Sequence, residues 1–315
     1  MMMKFFKQEI QYGIYSKVYY IMLLFLILLF SIILFLNYAA VMDTYNDYQA
    51  TEKFYKKNNV DDIEKDLAGE YKFEKTETGG VITNPILYYK ETVSKYLYTA
   101  SPKYTLSQLL ESAILYFPVV FGTFGLLIAI TDFRYKTIKF KTVRGNKVKL
   151  GIAKQFSLAL SGFIIMVISL IVSYLFSFLF YNKISATIPI SEFDLSLPFM
   201  NSSSPIFFKF MFAYAISVIF MVVGYTLGIV FKNMYIGIVL IIVYMFLLPN
   251  LGVFDLKNAL YYIEKKLFDY QGVVSVEHPK DGTTWITSMI VLLSVLMISF
   301  IINMFIIKKR SSFES

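Results

Sequence analysis

The chain has 315 residues, of which 57% are hydrophobic and 17% are charged, and its mean hydropathy is +0.59. Soluble domains usually carry about 25% charged residues, so this composition excludes an ordinary soluble protein and favours a membrane protein. The sequence holds no cysteine and one histidine, His278, which excludes disulfides, thiolate zinc sites and a metal site made of several histidines from this chain.

Residues 1–17 predict an amphipathic helix that lies on the membrane surface. Met3, Phe6, Ile10 and Ile14 recur at helical spacing, while lysine and glutamine occupy the neighbouring face. Phe6 and Ile10 are therefore expected to contact lipid as the centre of an interfacial helix. The alternative is a positively charged flank that only orients the first span.

Six apolar stretches predict transmembrane helices. A crossing needs about 20 apolar residues, because about 30 Å of hydrocarbon is spanned at about 1.5 Å per residue. The stretches cover residues 18–41, 112–131, 156–181, 206–231, 234–250 and 285–307. The fifth is the shortest, and it follows the fourth so closely that the two form a hairpin. The expected fold is an all-α membrane protein with six transmembrane helices.

Residues 42–111 are the longest polar segment and predict an extracellular helical loop domain. A helix over residues 43–58 continues the first span, and Gly79 with Gly80 marks a turn. The run Thr105-Leu106-Ser107-Gln108 fits a capping box that would start the second transmembrane helix. A small helical cap over the spans is the simpler interpretation, because no pocket chemistry is visible.

Two further loops are expected outside the cell. The loop 182–205 carries three prolines and therefore cannot be a single helix. The loop 251–284 contains a short helix over residues 256–268, and His278 lies beyond it, where a solvated side chain is expected.

Lysine and arginine predict which helix ends face the cytoplasm. Residues 132–155 hold eight basic residues against one acid, Asp132. The N-terminus, the turn between the fourth and fifth spans and the tail 308–315 are also basic, and six spans place all four segments on one side. Residues 43–111, on the other side, hold nine lysines and twelve acids. Both termini are therefore expected in the cytoplasm, and topology explains the net charge of +8 without nucleic-acid binding.

The sequence lacks the motifs of several enzyme classes. There is no GxxxxGK[ST] loop, HExxH or GxSxG motif, and no Asp, Glu, Arg, Lys or His stands at the centre of a span. Ion-driven transporters typically place a titratable group there. We therefore expect no catalytic, cofactor-binding or metal-binding residue in this chain, and energy that comes from a partner.

Small residues in the fourth span predict close helix contact. Gly224 and Gly228 form a GxxxG pattern, which packs helices within one chain or between two chains.

The order of these elements resembles the permease subunits of type-2 ATP-binding-cassette (ABC) exporters. In that family, the segment that leaves the second span has an acidic residue, Gly-Thr, an Arg-containing turn and a Lys before the third span. Thr137, Arg144 and Lys154 match this pattern, whereas Lys136 replaces the usual glycine and Asp132 is displaced. The run Leu227-Gly228-Ile229-Val230-Phe231-Lys232-Asn233 is similar to the family's second cytoplasmic turn.

The resemblance implies a subunit of an exporter in a bacterial cell membrane. A second permease, either another copy or a paralogue, and two cytoplasmic ATPase subunits that bind ATP-Mg would complete it. The substrate would be hydrophobic or amphipathic, such as a peptide, a bacteriocin, an antibiotic or a lipid-like molecule. The expected contacts with the ATPase are Phe133, Arg134, Tyr135, Thr137, Ile138, Phe140, Lys232 and Asn233.

Other classes remain open at this point. A membrane immunity or sensory protein could bind a peptide or lipid without an ATPase. An ion-coupled carrier or an intramembrane enzyme would need titratable groups that the span centres lack.

Overall fold

The structure is a computed structural model, and it describes residues 2–58, 63–76, 79–134, 147–195, 204–268 and 277–309. Within these ranges lie eleven α-helices and one two-stranded antiparallel sheet. The helices are α1 (Met2–Tyr15), α2 (Val18–Lys57), α3 (Ile63–Leu67), α4 (Pro85–Ala100), α5 (Pro102–Glu111), α6 (Ala113–Arg134), α7 (Lys147–Thr187), α8 (Ile206–Phe231), α9 (Met234–Ile242), α10 (Leu256–Leu267) and α11 (Trp285–Lys309). The strands are β1 (Phe73–Thr76) and β2 (Gly79–Ile82), and a 3₁₀ turn covers Ile190–Glu192.

Five helices, α2, α6, α7, α8 and α11, are long and apolar enough to cross a membrane. A π-helical turn, Val243–Leu247, follows α9, and the two form a shorter apolar helix, Met234–Leu247. The chain is therefore a mainly helical, multi-pass membrane protein, as its composition predicts.

Two of these helices extend beyond the predicted spans. α2 contains 40 residues and joins the first apolar stretch and the helix expected over residues 43–58 without a break. α7 contains 41 residues and includes residues 147–155, which precede the third apolar stretch. Lysine, leucine and alanine favour helix, so the polar ends continue the helix that the apolar centre begins.

The chain forms two compact units. Unit 1 comprises residues 1–28, 109–171 and 203–315, and unit 2 comprises residues 29–108 and 172–202. α2 and α7 each contribute one part to each unit.

Unit 1 is built on the pair formed by α6 and α8, which makes the most extensive helix contact in the structure. Phe117, Phe121 and Phe124 on α6 are fully buried, and the rings of Phe117 and Phe121 meet edge to face at 5.0 Å. α9 packs against both α6 and α8, and α11 packs against α8 and α10. Burial of these aromatic side chains contributes to the stability of unit 1.

Unit 2 has its own apolar core. Its buried members include Val41 and Tyr45 on α2, Val93 and Leu97 on α4, and Ile184 on α7. In the same unit, Asn37 and Gln108 form a reciprocal amide pair, in which each side-chain nitrogen donates to the other side-chain oxygen over 2.8 Å and 3.0 Å. Both amides are buried, so each satisfies the polar group of the other.

Two local predictions about unit 2 differ from the structure. The hairpin of β1 and β2 interrupts the all-α pattern, and Gly79 and Gly80 open β2 rather than form its turn. The capping box is wrong, because Thr105 lies inside α5 and its hydroxyl donates to the carbonyl of Ser101 over 2.9 Å. Pro102 starts α5 instead, since the first turn of a helix tolerates a residue without an N–H group.

Candidate functional site

One end of unit 1 brings together the segments that the sequence predicts in the cytoplasm. Phe5 on α1 packs on Leu150 and Ala153 in the first turns of α7. A methyl group at Gly151 would lie 2.7 Å from Cδ1 of Ile307, near the end of α11. We call this region, residues 2–17, 126–134, 147–155, 228–237 and 303–309, the basal end.

The face of α1 that is buried in the protein differs from the apolar face that its sequence pattern predicts. Phe5, Glu9 and Gly13 are buried, whereas Phe6 and Ile10 are half-buried and Ile14 is exposed. Residues 5, 9 and 13 pack on the rest of unit 1. Phe6, Ile10 and Ile14 lie on the neighbouring side of the helix. α1 is therefore a docked helix whose predicted apolar face remains partly exposed.

A buried ion pair joins α1 to α7. The Glu9 carboxylate lies 3.9 Å from Nζ of Lys154, and each side chain is 6% exposed. Glu9 follows Phe5 by one turn, and Lys154 follows Leu150 by one turn. The two helices thus meet through one apolar contact and one charged contact, stacked a turn apart.

The corner between α1 and α2 aligns α1 further. Lys17, between the two helices, adopts a left-handed conformation with a φ of 59°. The Tyr19 ring lies directly against Gly13, where any side chain would overlap it. The same ring meets Phe124 of α6 edge to face at 5.8 Å, so Tyr19 links α1 to the central helix pair.

On its other side, α7 is held by α11. Nδ2 of Asn303 donates a hydrogen bond to Oε1 of Gln155 over 3.1 Å, and both side chains are buried. Together with the contact of Gly151 with Ile307, this bond places α11 along the first turns of α7. Residues 147–155, the first turns of α7, are therefore held between α1 and α11. We call this arrangement the clamp.

The expected ATPase contacts fall partly within the described residues. Phe133 and Arg134 are the last two residues of α6. Tyr135, Thr137, Ile138 and Phe140 lie outside the described residues, so their role stays a prediction.

Lys232 and Asn233 form a tight turn between α8 and α9. Lys232 is left-handed, with a φ of 53°, and its N–H donates to the carbonyl of Gly228 over 3.0 Å. Oδ1 of Asn233 accepts hydrogen bonds from the N–H groups of Tyr235 and Ile236 and so caps α9. Both side chains are exposed, which leaves this turn as part of the basal surface.

The two glycines of the GxxxG pattern contact α6 of the same chain. A methyl group at Gly224 would overlap the carbonyl oxygen of Gly122, and one at Gly228 would lie 2.6 Å from Cβ of Ala129. Gly125 lies in the same way against the backbone of Met221. The absent side chains allow α6 and α8 to approach backbone to backbone.

The other end of unit 1 holds polar residues that the sequence does not single out as buried. From its place near the start of α8, Lys209 is expected to extend its side chain out of the membrane. Instead it is 1% exposed, and its Nζ lies 5.2 Å from the centre of the Phe268 ring. Nζ of Lys257 donates to the carbonyl of Leu248 over 2.6 Å. Apolar neighbours brought by the fold, rather than any local pattern, bury these lysines.

A hydrogen-bond network fixes α10 at this end. Oδ1 of Asn258 accepts from Nδ2 of Asn250 over 2.9 Å and from the N–H of Lys280 over 2.8 Å, and its Nδ2 donates to Thr283. Burial, together with the smaller effect of nearby carboxylates, raises the pKa of the Tyr261 hydroxyl to about 12, so this group stays protonated at neutral pH.

Comparisons of the chain with protein families, with curated proteins and with solved structures find no match. The functional proposal below therefore rests on the geometry of the basal end.

Proposed function

We propose that this chain is the transmembrane permease subunit of an ATP-driven type-2 ABC exporter. The supporting observation is the clamp on the first turns of α7. Residues 132–155, the segment expected to contact the ATPase, include the start of α7 at Lys147. A segment that receives force from a partner must be tied to the membrane helices, and α1 and α11 hold α7 at this point.

The clamp suggests how movement would pass into the membrane. α7 is one unbroken helix of 41 residues, about 60 Å long at about 1.5 Å per residue. Displacement of its first turns would tilt the whole helix as a rod. α1 would follow through Glu9 and Lys154, and α11 would follow through Gln155 and Asn303.

The remaining parts of the proposal follow from the family resemblance and the charge distribution. The basal end faces the cytoplasm of a bacterium, and a second permease, either another copy or a paralogue, completes the transport path. ATP-Mg binds in the separate ATPase subunits. The cargo is a hydrophobic or amphipathic molecule that leaves the cell.

A pair of matched variants tests the docking step. Phe133→Ala with Phe140→Ala removes two apolar anchors and keeps every positive charge, whereas Lys136→Gln, Lys139→Gln and Lys141→Gln remove charge and keep the anchors. We expect the double alanine variant to lose ATPase co-purification, because docking helices are held by apolar anchors at their centre. The glutamine variant should retain most of it.

The measurement is recovery of a stoichiometric ATPase with the tagged chain, followed by substrate-stimulated ATP hydrolysis in nanodiscs. If the alanine variant keeps the ATPase and the glutamine variant loses it, the segment is a lipid-bound polybasic loop. If the unaltered chain recovers no ATPase from its native membrane, the exporter proposal is wrong, and an immunity or sensory protein becomes the better interpretation.

A further inference from the structure

A cavity lies in unit 1 between α8, α9, α11 and the loop that leads into α10. Its volume is about 760 Å³, within the range of about 300–1,000 Å³ that is usual for small-molecule sites. The lining residues on α8 are Phe220, Val223 and Leu227. These residues cover two turns of one helix face, about 10 Å at about 1.5 Å per residue, so the cavity extends along a membrane-spanning helix.

The walls are almost entirely apolar. Leu240 and Ile241 on α9 and Val295 on α11 complete the lining along the helices. Among the described lining residues, Asp255 is the one charged side chain, and both of its oxygens already accept hydrogen bonds. The Tyr244 hydroxyl donates to Oδ1, and the N–H of Leu251 donates to Oδ2 over 2.9 Å.

The cavity is open, and its rim is apolar too. Leu251 and Phe254, in the loop at its outer edge, are 72% and 77% exposed, and Leu240 is 40% exposed. Because α8 and α11 are long and apolar enough to cross a membrane, we expect the helical walls of the cavity to border lipid hydrocarbon.

We propose that this cavity binds one hydrocarbon chain of a membrane lipid, which lies along α8 with its polar end near the loop 251–255. A peptide backbone would bring N–H and C=O groups that the apolar walls leave without partners, which is costly. An anionic headgroup would meet the Asp255 carboxylate and no lysine or arginine among the described lining residues. A flexible alkyl chain needs no polar partner, so it fits this lining best.

The test uses the whole chain purified in detergent, stripped of lipid and titrated with 1-palmitoyl-2-oleoylphosphatidylcholine, with bound lipid counted by native mass spectrometry. The unaltered chain should bind one lipid saturably. In Val223→Phe with Val295→Phe, the added rings fill the cavity, and we expect the Kd to rise by about tenfold or more. The matched control, Val230→Phe with Leu293→Phe, adds the same rings to exposed positions of α8 and α11 and should bind as the unaltered chain does.

Location is tested separately on the unaltered chain, so that a misfolded variant does not decide the matter. A phosphatidylcholine with a diazirine on its acyl chain is photolysed with the protein, and the attachment sites are mapped by peptide mass spectrometry. We expect saturable labelling on residues 220–227 and 240–244. Labelling spread evenly over all lipid-facing helices, no saturable binding, or equal binding by the filled variant would each overturn the proposal. None of these outcomes depends on an ATPase, so they bear on the lipid site and not on the exporter proposal.

Discussion

The carboxylate of Glu9 lies 3.9 Å from Nζ of Lys154, and both side chains are 6% exposed, so a buried charge pair ties α1 to α7. A buried charge becomes costly when its partner is removed, because water can no longer solvate it. The pair therefore makes the position of α1 depend on a residue in the first turns of α7.

Removal of one member of this pair is expected to destabilise the protein more than removal of both. Glu9→Gln or Lys154→Met alone removes one member of the buried pair and leaves the charge of the other, and we expect a loss of about 3–5 kcal/mol in the free energy of unfolding. Glu9→Gln combined with Lys154→Met should recover much of that loss. The measurement is unfolding in mixed detergent micelles, followed by circular dichroism.

The exposed pair of Lys56 and Glu52 provides the control for this experiment. Its atoms are closer, at 2.6 Å, but the two side chains are 64% and 34% exposed. Lys56→Met should cost about 0–1 kcal/mol, since water screens an exposed pair. Equal losses from Lys56→Met and Lys154→Met would contradict the importance that we assign to burial.

The half-buried face of α1 is expected to contact lipid. Phe6→Asp with Ile10→Asp would place two charges at the boundary between headgroups and acyl chains and lift the helix from the membrane. Because the chain has no cysteine, Met3→Cys can carry a single bimane probe, whose emission should shift to the red in the double variant.

The control for this change is Gln8→Asp with Gln11→Asp, which adds the same charge to the polar side of α1. The emission of the probe should change little in that variant. If Phe6→Asp with Ile10→Asp also leaves the emission and transport unchanged, residues 1–17 act only as a topological flank.

The contact of Gly224 with Gly122 is expected to tolerate no side chain. Alanine favours helix over glycine by about 1 kcal/mol, but the added methyl group would overlap a backbone carbonyl that cannot rotate away. We expect Gly224→Ala to lower the free energy of unfolding by on the order of 1–2 kcal/mol. Val230→Ile, which adds one carbon to the exposed face of α8, should have little effect. A Gly224→Ala variant at least as stable as the unaltered chain would show that α6 and α8 can separate without cost.

The orientation in the membrane can be measured with single cysteines. With the basal end in the cytoplasm, Asn58→Cys and Asn201→Cys should react with an impermeant thiol reagent on intact cells. Asn146→Cys and Ser312→Cys should react only after lysis, and the unaltered chain provides a background without thiols. Labelling of position 146 in intact cells would reverse the orientation and remove the basis for the exporter proposal.

Several structural features could be predicted from the sequence because they depend on local composition. The long apolar stretches specify helices wherever they lie, since backbone groups in hydrocarbon must be hydrogen-bonded within their own segment. The sequence predicts the short helix α10 to within one residue of its observed end, because its apolar residues recur at helical spacing. Gly224 and Gly228 likewise identify a close helix contact, because only small residues permit one.

Only the tertiary structure decided which faces of these helices are buried. The pattern of α1 points to Phe6 and Ile10, yet Glu9 is buried more deeply, because Lys154 neutralises its charge from a distant part of the chain. The position of Lys209 in the sequence predicts an exposed side chain at the membrane edge, but the side chain is buried beside the Phe268 ring. The cost of burying a charge depends on the partner that the fold supplies, and a local pattern carries no record of that partner.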